Sequence, residues 1–171
     1  PATGVFQRYP VDVGNSAALQ SGLVRDILVD HNGTVWIGTD KGLSEWRSKQ
    51  DDFITYEHDA EDAGSLSGNR VENLYEDASG VLWVGTYEGI SRWNYLSDAF
   101  TYYTHKDGQL SNDIVVSLAQ APSGTLWVGT YGTGINRLEP TAKDGFVRRQ
   151  FDLQLPDQRI MALWAEDDDN L

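Results

Sequence analysis

The residues best suited to recognition chemistry fall in short polar clusters. One set is Asp40-Lys41, Tyr87-Glu88 and Tyr131-Gly132-Thr133. A second is Arg25-Asp26, Asn69-Arg70, Asn112-Asp113 and Gln158-Arg159. A tyrosine ring beside a carboxylate, an amide or a guanidinium offers a flat apolar face with donors and acceptors at its rim, which suits carbohydrate or peptide recognition. The candidate ligand-binding residues are therefore Arg25, Asp40, Lys41, Arg70, Tyr87, Glu88, Asn112, Asp113, Tyr131 and Arg159. A small molecule, a glycan or a protein could each meet such a set.

Other chemistry finds less support. The chain has three histidines, and none stands in a Ser-His-Asp pattern. His58 follows Tyr56-Glu57 and His105 follows Tyr103-Thr104, so the two recur in register and read as strand-end residues, with no catalytic residue assigned. Asp59-Ala60-Glu61-Asp62-Ala63-Gly64 has the outline of a calcium loop. It fails at the fifth position, Ala63, and at the twelfth, Arg70, where a bidentate glutamate is required. Asp167-Asp168-Asp169 reads as a solvated turn, so no metal site is assigned. No phosphate-cradling or dinucleotide glycine motif occurs, and no cofactor is expected.

Composition narrows the partners. Lys+Arg 13 against Asp+Glu 26 gives a net charge of −13, which argues against nucleic acid or an anionic membrane. With no cysteine there are no disulfides or thiolate sites. No run of eighteen apolar residues is present. Gly 17 and Trp 6 against Met 1 favour a turn-rich β fold.

The elements that would position these clusters come from a repeat. Val24–Trp46, Val71–Trp93 and Val115–Leu138 align, with one extra residue after the threonine of the third copy. Each copy holds short β-prone runs separated by turn residues, and a further run follows at Phe53, Phe100 and Phe146. A period of this length with four strands is that of a β-propeller blade. Asp30-His31-Asn32-Gly33 and Asp77-Ala78-Ser79-Gly80 place Asp first and Gly fourth, as a type I turn wants. In Ala121-Pro122-Ser123-Gly124 proline takes the second place, where its fixed φ fits. Trp36, Trp46, Trp83, Trp93 and Trp127 fall in register and are expected in the core. Gly85, beside Trp83, is expected to make room for a ring of the next blade.

The expected fold is all-β: residues 1–171 form a partial ring of about three and three-quarter blades, each a four-stranded antiparallel meander. Blades are expected at about 23–57, 69–104 and 113–152, with lone flanking strands at about 5–9 and 159–166. On this reading the chain opens with the last strand of one unit and stops inside a hairpin of another. The open blade edges imply self-association or further residues beyond Leu171.

Gly80-Val81-Leu82-Trp83-Val84-Gly85-Thr86 with Gly89-Ile90-Ser91-Arg92 resembles the two-component-regulator propeller repeat. So do Gly124–Thr130 with Gly134–Arg137, and Gly33–Thr39 with Gly42-Leu43-Ser44, where Glu45 departs from the usual polar or basic residue. The resemblance implies the ligand-sensing part of a bacterial receptor, on the periplasmic or extracytoplasmic side of the inner membrane. It also implies a downstream histidine kinase or diguanylate cyclase module, of which this sequence holds none, and hence a non-catalytic binding module. A propeller enzyme, lyase or hydrolase, and a pure interaction scaffold are the alternatives.

Overall fold

The computed structural model describes residues 4, 6–143, 145–149 and 157–167. Among these residues twelve strands form three four-stranded antiparallel sheets, arranged as an open set of propeller blades. Blade 1 is β1 (Val24–Val29), β2 (Val35–Thr39), β3 (Gly42–Arg47) and β4 (Asp52–Tyr56). Blade 2 is β5 (Val71–Glu76), β6 (Leu82–Thr86), β7 (Gly89–Asn94) and β8 (Ala99–Tyr103). Blade 3 is β9 (Val115–Gln120), β10 (Leu126–Thr130), β11 (Gly134–Pro140) and β12 (Phe146–Arg149). In each sheet the first strand is an edge, and β5 touches both β1 and β9, so the first strands share the inner side of the arc.

One carboxylate builds the turn between the first two strands. Asp77 Oδ1 accepts the backbone N–H of Ser79 (2.9 Å) and of Val81 (3.0 Å), while Oδ2 accepts the indole N–H of Trp83 at 2.9 Å. Asp30 does the same for Asn32, Thr34 and Trp36. Gly33, Gly80 and Gly124 close these turns at φ of 83°, 79° and 88°, where a Cβ would be strained.

Blades stack face against face. Trp36 and Leu43 of blade 1 enclose Leu74, Leu82, Val84, Trp93 and Phe100 of blade 2 in one cluster. Trp83, Ile90 and Tyr103 of blade 2 do the same for Leu118, Leu126, Val128 and Leu138 of blade 3. The glycine after each repeat tryptophan makes the close approach possible. A Cβ on Gly38 would lie 2.6 Å from Val71 Cγ1, one on Gly85 2.8 Å from Val115 Cγ1, and one on Gly129 2.7 Å from Ile160 Cγ2. The space is therefore filled by a β-branched side chain of the following segment, a first strand at Val71 and Val115, and not by a ring as expected. A valine reaches because the inner strands lie side by side, where an aromatic ring has no room.

A second contact crosses the blades at the opposite end. The N–H of His31 donates to both oxygens of Glu76 at 3.0 Å, with the His31 ring against the same carboxylate, and the N–H of Ala78 donates to Gln120 Oε1 at 2.8 Å. The next pair in register is Pro122, which has no N–H, and Ala165, which has no side-chain acceptor.

Three expectations need correction. Trp36, Trp83, Trp93 and Trp127 are buried, but Trp46 is only half-buried. Among the described residues no blade covers its side of blade 1, and Tyr9 meets it edge-on at 6.3 Å. Of the expected lone strand at 5–9, Val5 lies outside the described residues and 6–9 carry no ladder. Tyr9 and Gln7 are instead held by side-chain bonds to Asp51 (2.7 and 2.8 Å). Likewise 159–166 has no ladder beyond one bridge, Tyr131 to Arg159, because no strand pairs with 161–165 among the described residues. The end of blade 3 at 150–152 lies outside the described residues.

Candidate functional site

Antiparallel order sets the geometry of the site. Each first strand runs away from the end where it starts, so the second-to-third-strand turns and the connections between blades fall together at that end. The two clusters of candidate residues therefore share one rim.

A buried threonine shapes each turn there. Thr86 Oγ1 donates to the Gly89 carbonyl (3.1 Å) and accepts the Glu88 N–H (3.0 Å); Thr39 repeats both bonds with Gly42 and Lys41. Gly42 and Gly89 turn at φ of 113° and 133°, with the Tyr56 and Tyr103 carbonyls against them. Rim side chains then project from fixed stems.

Blade 2 carries the densest group. The Arg70 guanidinium lies 3.8 Å above the Tyr87 ring centroid, and its Nε donates to Glu72 Oε1 at 2.6 Å. Arg25 Nη1 reaches Glu72 Oε2 at 3.4 Å, so two guanidinium groups flank one carboxylate across the first blade junction. Glu88 lies against Gly68. Partial desolvation pushes its carboxyl upward, and Asp113 adds to this, while His58 and Arg70 oppose it. At blade 3 Tyr131 is half-exposed beside Arg159. A bidentate bond from Arg159 holds the Asp157 carboxyl down at about 2, and Asp157 with Tyr131 raises the guanidinium further.

Three of the four remaining candidates are spent on the loops themselves. Asp40 is bonded to the Ser21 hydroxyl. Asn112 Oδ1 accepts the Ile114 N–H at 2.8 Å, and Asp113 Oδ1 accepts the His105 N–H at 2.5 Å. His58 and His105 each bring Nδ1 to a leucine carbonyl, Leu66 at 2.6 Å and Leu110 at 3.1 Å, closing the loop that leads to the next blade. Lys41 is exposed. A cleft of about 410 Å³ lined by Gln20, Arg47, Phe53 and Glu57 lies against β4, the outer strand, and not at the inner rim. Among the described residues no three His, Asp or Glu side chains come together as metal ligands.

The register also corrects one candidate and adds two. Val24 pairs with Thr39 and Asp26 with Gly38, so Arg25 is an extra residue in β1, a β-bulge. The same shift leaves Glu72 unpaired in β5 and Val116 in β9. Arg25 thus matches Glu72 and Val116, and Arg70 matches Arg159; Arg25 and Arg70 are not equivalent entries to their strands. Glu72 and Val116 were missed because a bulge has no signature in hydrophobic alternation. The available signal was that the residue after the constant valine changes from cation to anion to aliphatic between copies.

Comparison with known proteins follows the same lines. Residues 18–41, 65–88 and 108–132 match the family model described as two component regulator propeller. No curated protein matches the chain. Among solved structures the chain is similar to the extracellular domain of a protein described as a hybrid two component system from B. thetaiotaomicron. That match has 27% identity and a TM-score of 0.69, over 82% of this chain and 20% of that one. The extracellular domain of a protein described as a one component system from the same organism shares the fold, at 22% identity, TM-score 0.67, and 83% and 21% coverage. A protein described as a gluconolactonase shares the fold at 12% identity and TM-score 0.57, over 74% and 48%. The chain spans about a fifth of the length of the first two structures.

Proposed function

We propose that this chain, built of two-component regulator propeller repeats, is the ligand-reading part of an extracytoplasmic bacterial receptor and carries no catalysis of its own. The observation that carries the reading is the rim. Two independent loop sets converge on one end, and the inner part of that end presents Arg25, Arg70, Tyr87, Glu88 and Tyr131 on rigid stems. Loops on a rigid scaffold are where recognition is displayed. The ligand class that fits a tyrosine-guanidinium-carboxylate rim is a soluble glycan. The signal would be a ligand-biased packing of neighbouring blades, passed to a kinase or cyclase module elsewhere in the receptor.

The enzyme reading draws least support. It wants a non-repeating histidine or paired acids at the rim, whereas His58 and His105 perform one repeated structural bond. Thermal shift against a panel of oligosaccharides tests the proposal. A ligand at a hundred times its Kd stabilises by about 2.7 kcal/mol, which raises Tm by roughly 5–10 °C in a chain of this size. Stabilisation by a glycan that Arg70→Ala or Tyr131→Ala abolishes supports the rim. A panel with no shift, alongside turnover of any sugar lactone or glycoside, overturns it.

A further inference from the structure

The three β-bulges sit at one register, next to the rim and on the inner strands. Valine precedes each bulge (Val24, Val71, Val115) and a Gly-Thr pair faces it (Gly38-Thr39, Gly85-Thr86, Gly129-Thr130), while the residue that follows is a small polar one in each copy (Asp26, Asn73, Ser117). At the bulge itself the chemistry changes completely, from Arg25 to Glu72 to Val116. Ile160 fills the Gly129 space as Val71 and Val115 fill theirs, so Met161 is the fourth residue in this register. It is exposed, and Val116 is half-exposed.

A bulge costs a strand its regular pairing, and its usual effect is to re-aim one side chain. A structural role would call for the same residue in every copy, as the turn threonines and blade-facing glycines show. Here the backbone device is kept while its side chain ranges from cation to anion to aliphatic, a wider change than the small polar residues that follow it, and this is the pattern expected where geometry is fixed and recognition differs by position.

Resting on the proposed ligand-reading role, we propose that Arg25, Glu72 and Val116 are its specificity-determining residues. They form an inner arc whose first half is a hydrogen-bonding pair and whose second half is aliphatic. Arg25 and Glu72 meet at 3.4 Å, and Arg70, stacked on Tyr87, fixes the second oxygen of Glu72. Val116, with Met161 in the adjoining place, offers an apolar surface. The arc fits a ligand with a hydroxyl or carboxylate edge on one side and a C–H face on the other, as a pyranose ring has. The acids Glu88 and Asp113 stand at the same rim and weigh against a simple anion site.

The test uses the full chain on an array of neutral and acidic oligosaccharides, with Tm recorded for each variant. The exchange Arg25→Val with Val116→Arg moves the guanidinium from the first bulge to the third. Glu72→Gln removes one charge while keeping shape. The expected result is a changed glycan preference, with affinity for the wild-type ligand down about tenfold or more and Tm kept. If wild type binds a glycan and both variants bind it equally well, the bulges do not read the ligand and this inference falls while the receptor reading stands. If wild type binds no glycan on the array, the receptor reading itself falls, and this inference with it.

Discussion

Asp77→Ala is the most direct probe of how a blade is held. The Asp77 carboxylate makes three bonds, two to turn N–H groups and one to the indole of Trp83, which is 0% exposed. In the alanine variant water can reach the turn, but nothing replaces the acceptor at the indole. Orphaning a buried donor costs ~1–3 kcal/mol, and losing a capping side chain adds ~1 kcal/mol. The sum, about 3 kcal/mol, corresponds to a fall in Tm of roughly 6–12 °C. Asp77→Asn should not rescue fully: its oxygen can serve the backbone, but its NH2 then faces the indole N–H. A double-mutant cycle isolates the buried bond. Trp83→Phe removes the N–H while keeping an aromatic ring, so in that background Asp77→Ala should cost less by ~1–3 kcal/mol. Urea melts of the four proteins, followed by far-UV circular dichroism, supply the cycle. A coupling under ~0.5 kcal/mol, within additivity, would refute the assignment of the aspartate to the tryptophan.

Gly85→Ala should destabilise by ~1–3 kcal/mol, because its Cβ would meet the buried, stiff Val115 at 2.8 Å; Val115→Ala in the same chain should recover part of the loss in a thermal melt. Tyr95 is pushed up to about 12 by desolvation and then by Asp30 and Glu76, and Tyr56 is raised by burial beside Glu45. Unfolded tyrosines lose their proton near pH 10, so these groups contribute stability below that pH and lose it as pH rises toward 12. Tyr95→Phe should flatten the fall, read as Tm between pH 9 and 11.5. Blade 1 exposes Val24 (44%) and Ile27 (59%), whose equivalents Val71, Val115, Leu74 and Leu118 are buried at both blade junctions. The chain should therefore self-associate through this face. Sedimentation velocity should show mass rising with concentration, less so for Ile27→Glu; a monomer throughout would count against it.

The strands were legible because each copy states the same message. An aliphatic-Trp-aliphatic-Gly-Thr run (Val35–Thr39, Leu82–Thr86, Leu126–Thr130), followed by a turn and a second β-prone run, recurs with turn residues of the right kind between. The three matched segments are the stretches where that message is densest. What the sequence concealed lies between copies. That a valine and not a ring fills the space at Gly85 depends on which strands sit side by side, and no single repeat encodes that distance. The flanking segments 6–9 and 159–166 carry strand-like residues, yet a ladder needs a partner strand, and pattern alone cannot supply one. The rim was half visible. Arg70 and Tyr87 were named separately, but their stacking is a product of the turn that Thr86 holds. Asn112 and Asp113 looked like free recognition groups and are instead fastened to backbone N–H groups of their own loop.

The bonds that run from His31 to Glu76 and from Ala78 to Gln120 have a bearing on how such a chain is inherited. Donor and acceptor belong to successive copies, so each repeat carries half of two different agreements. Where the donor side becomes Pro122, the receiving side is Ala165, and neither is left wanting. A third copy moved ahead of the second would set a proline against a glutamate, and a first or second copy moved ahead of the last segment would set a free N–H against an alanine. The heritable unit is thus the seam and not the blade. Repeats of this kind can multiply easily, but once their seams have diverged they are locked in order, and shuffling them should yield chains that fold less well than their parts suggest.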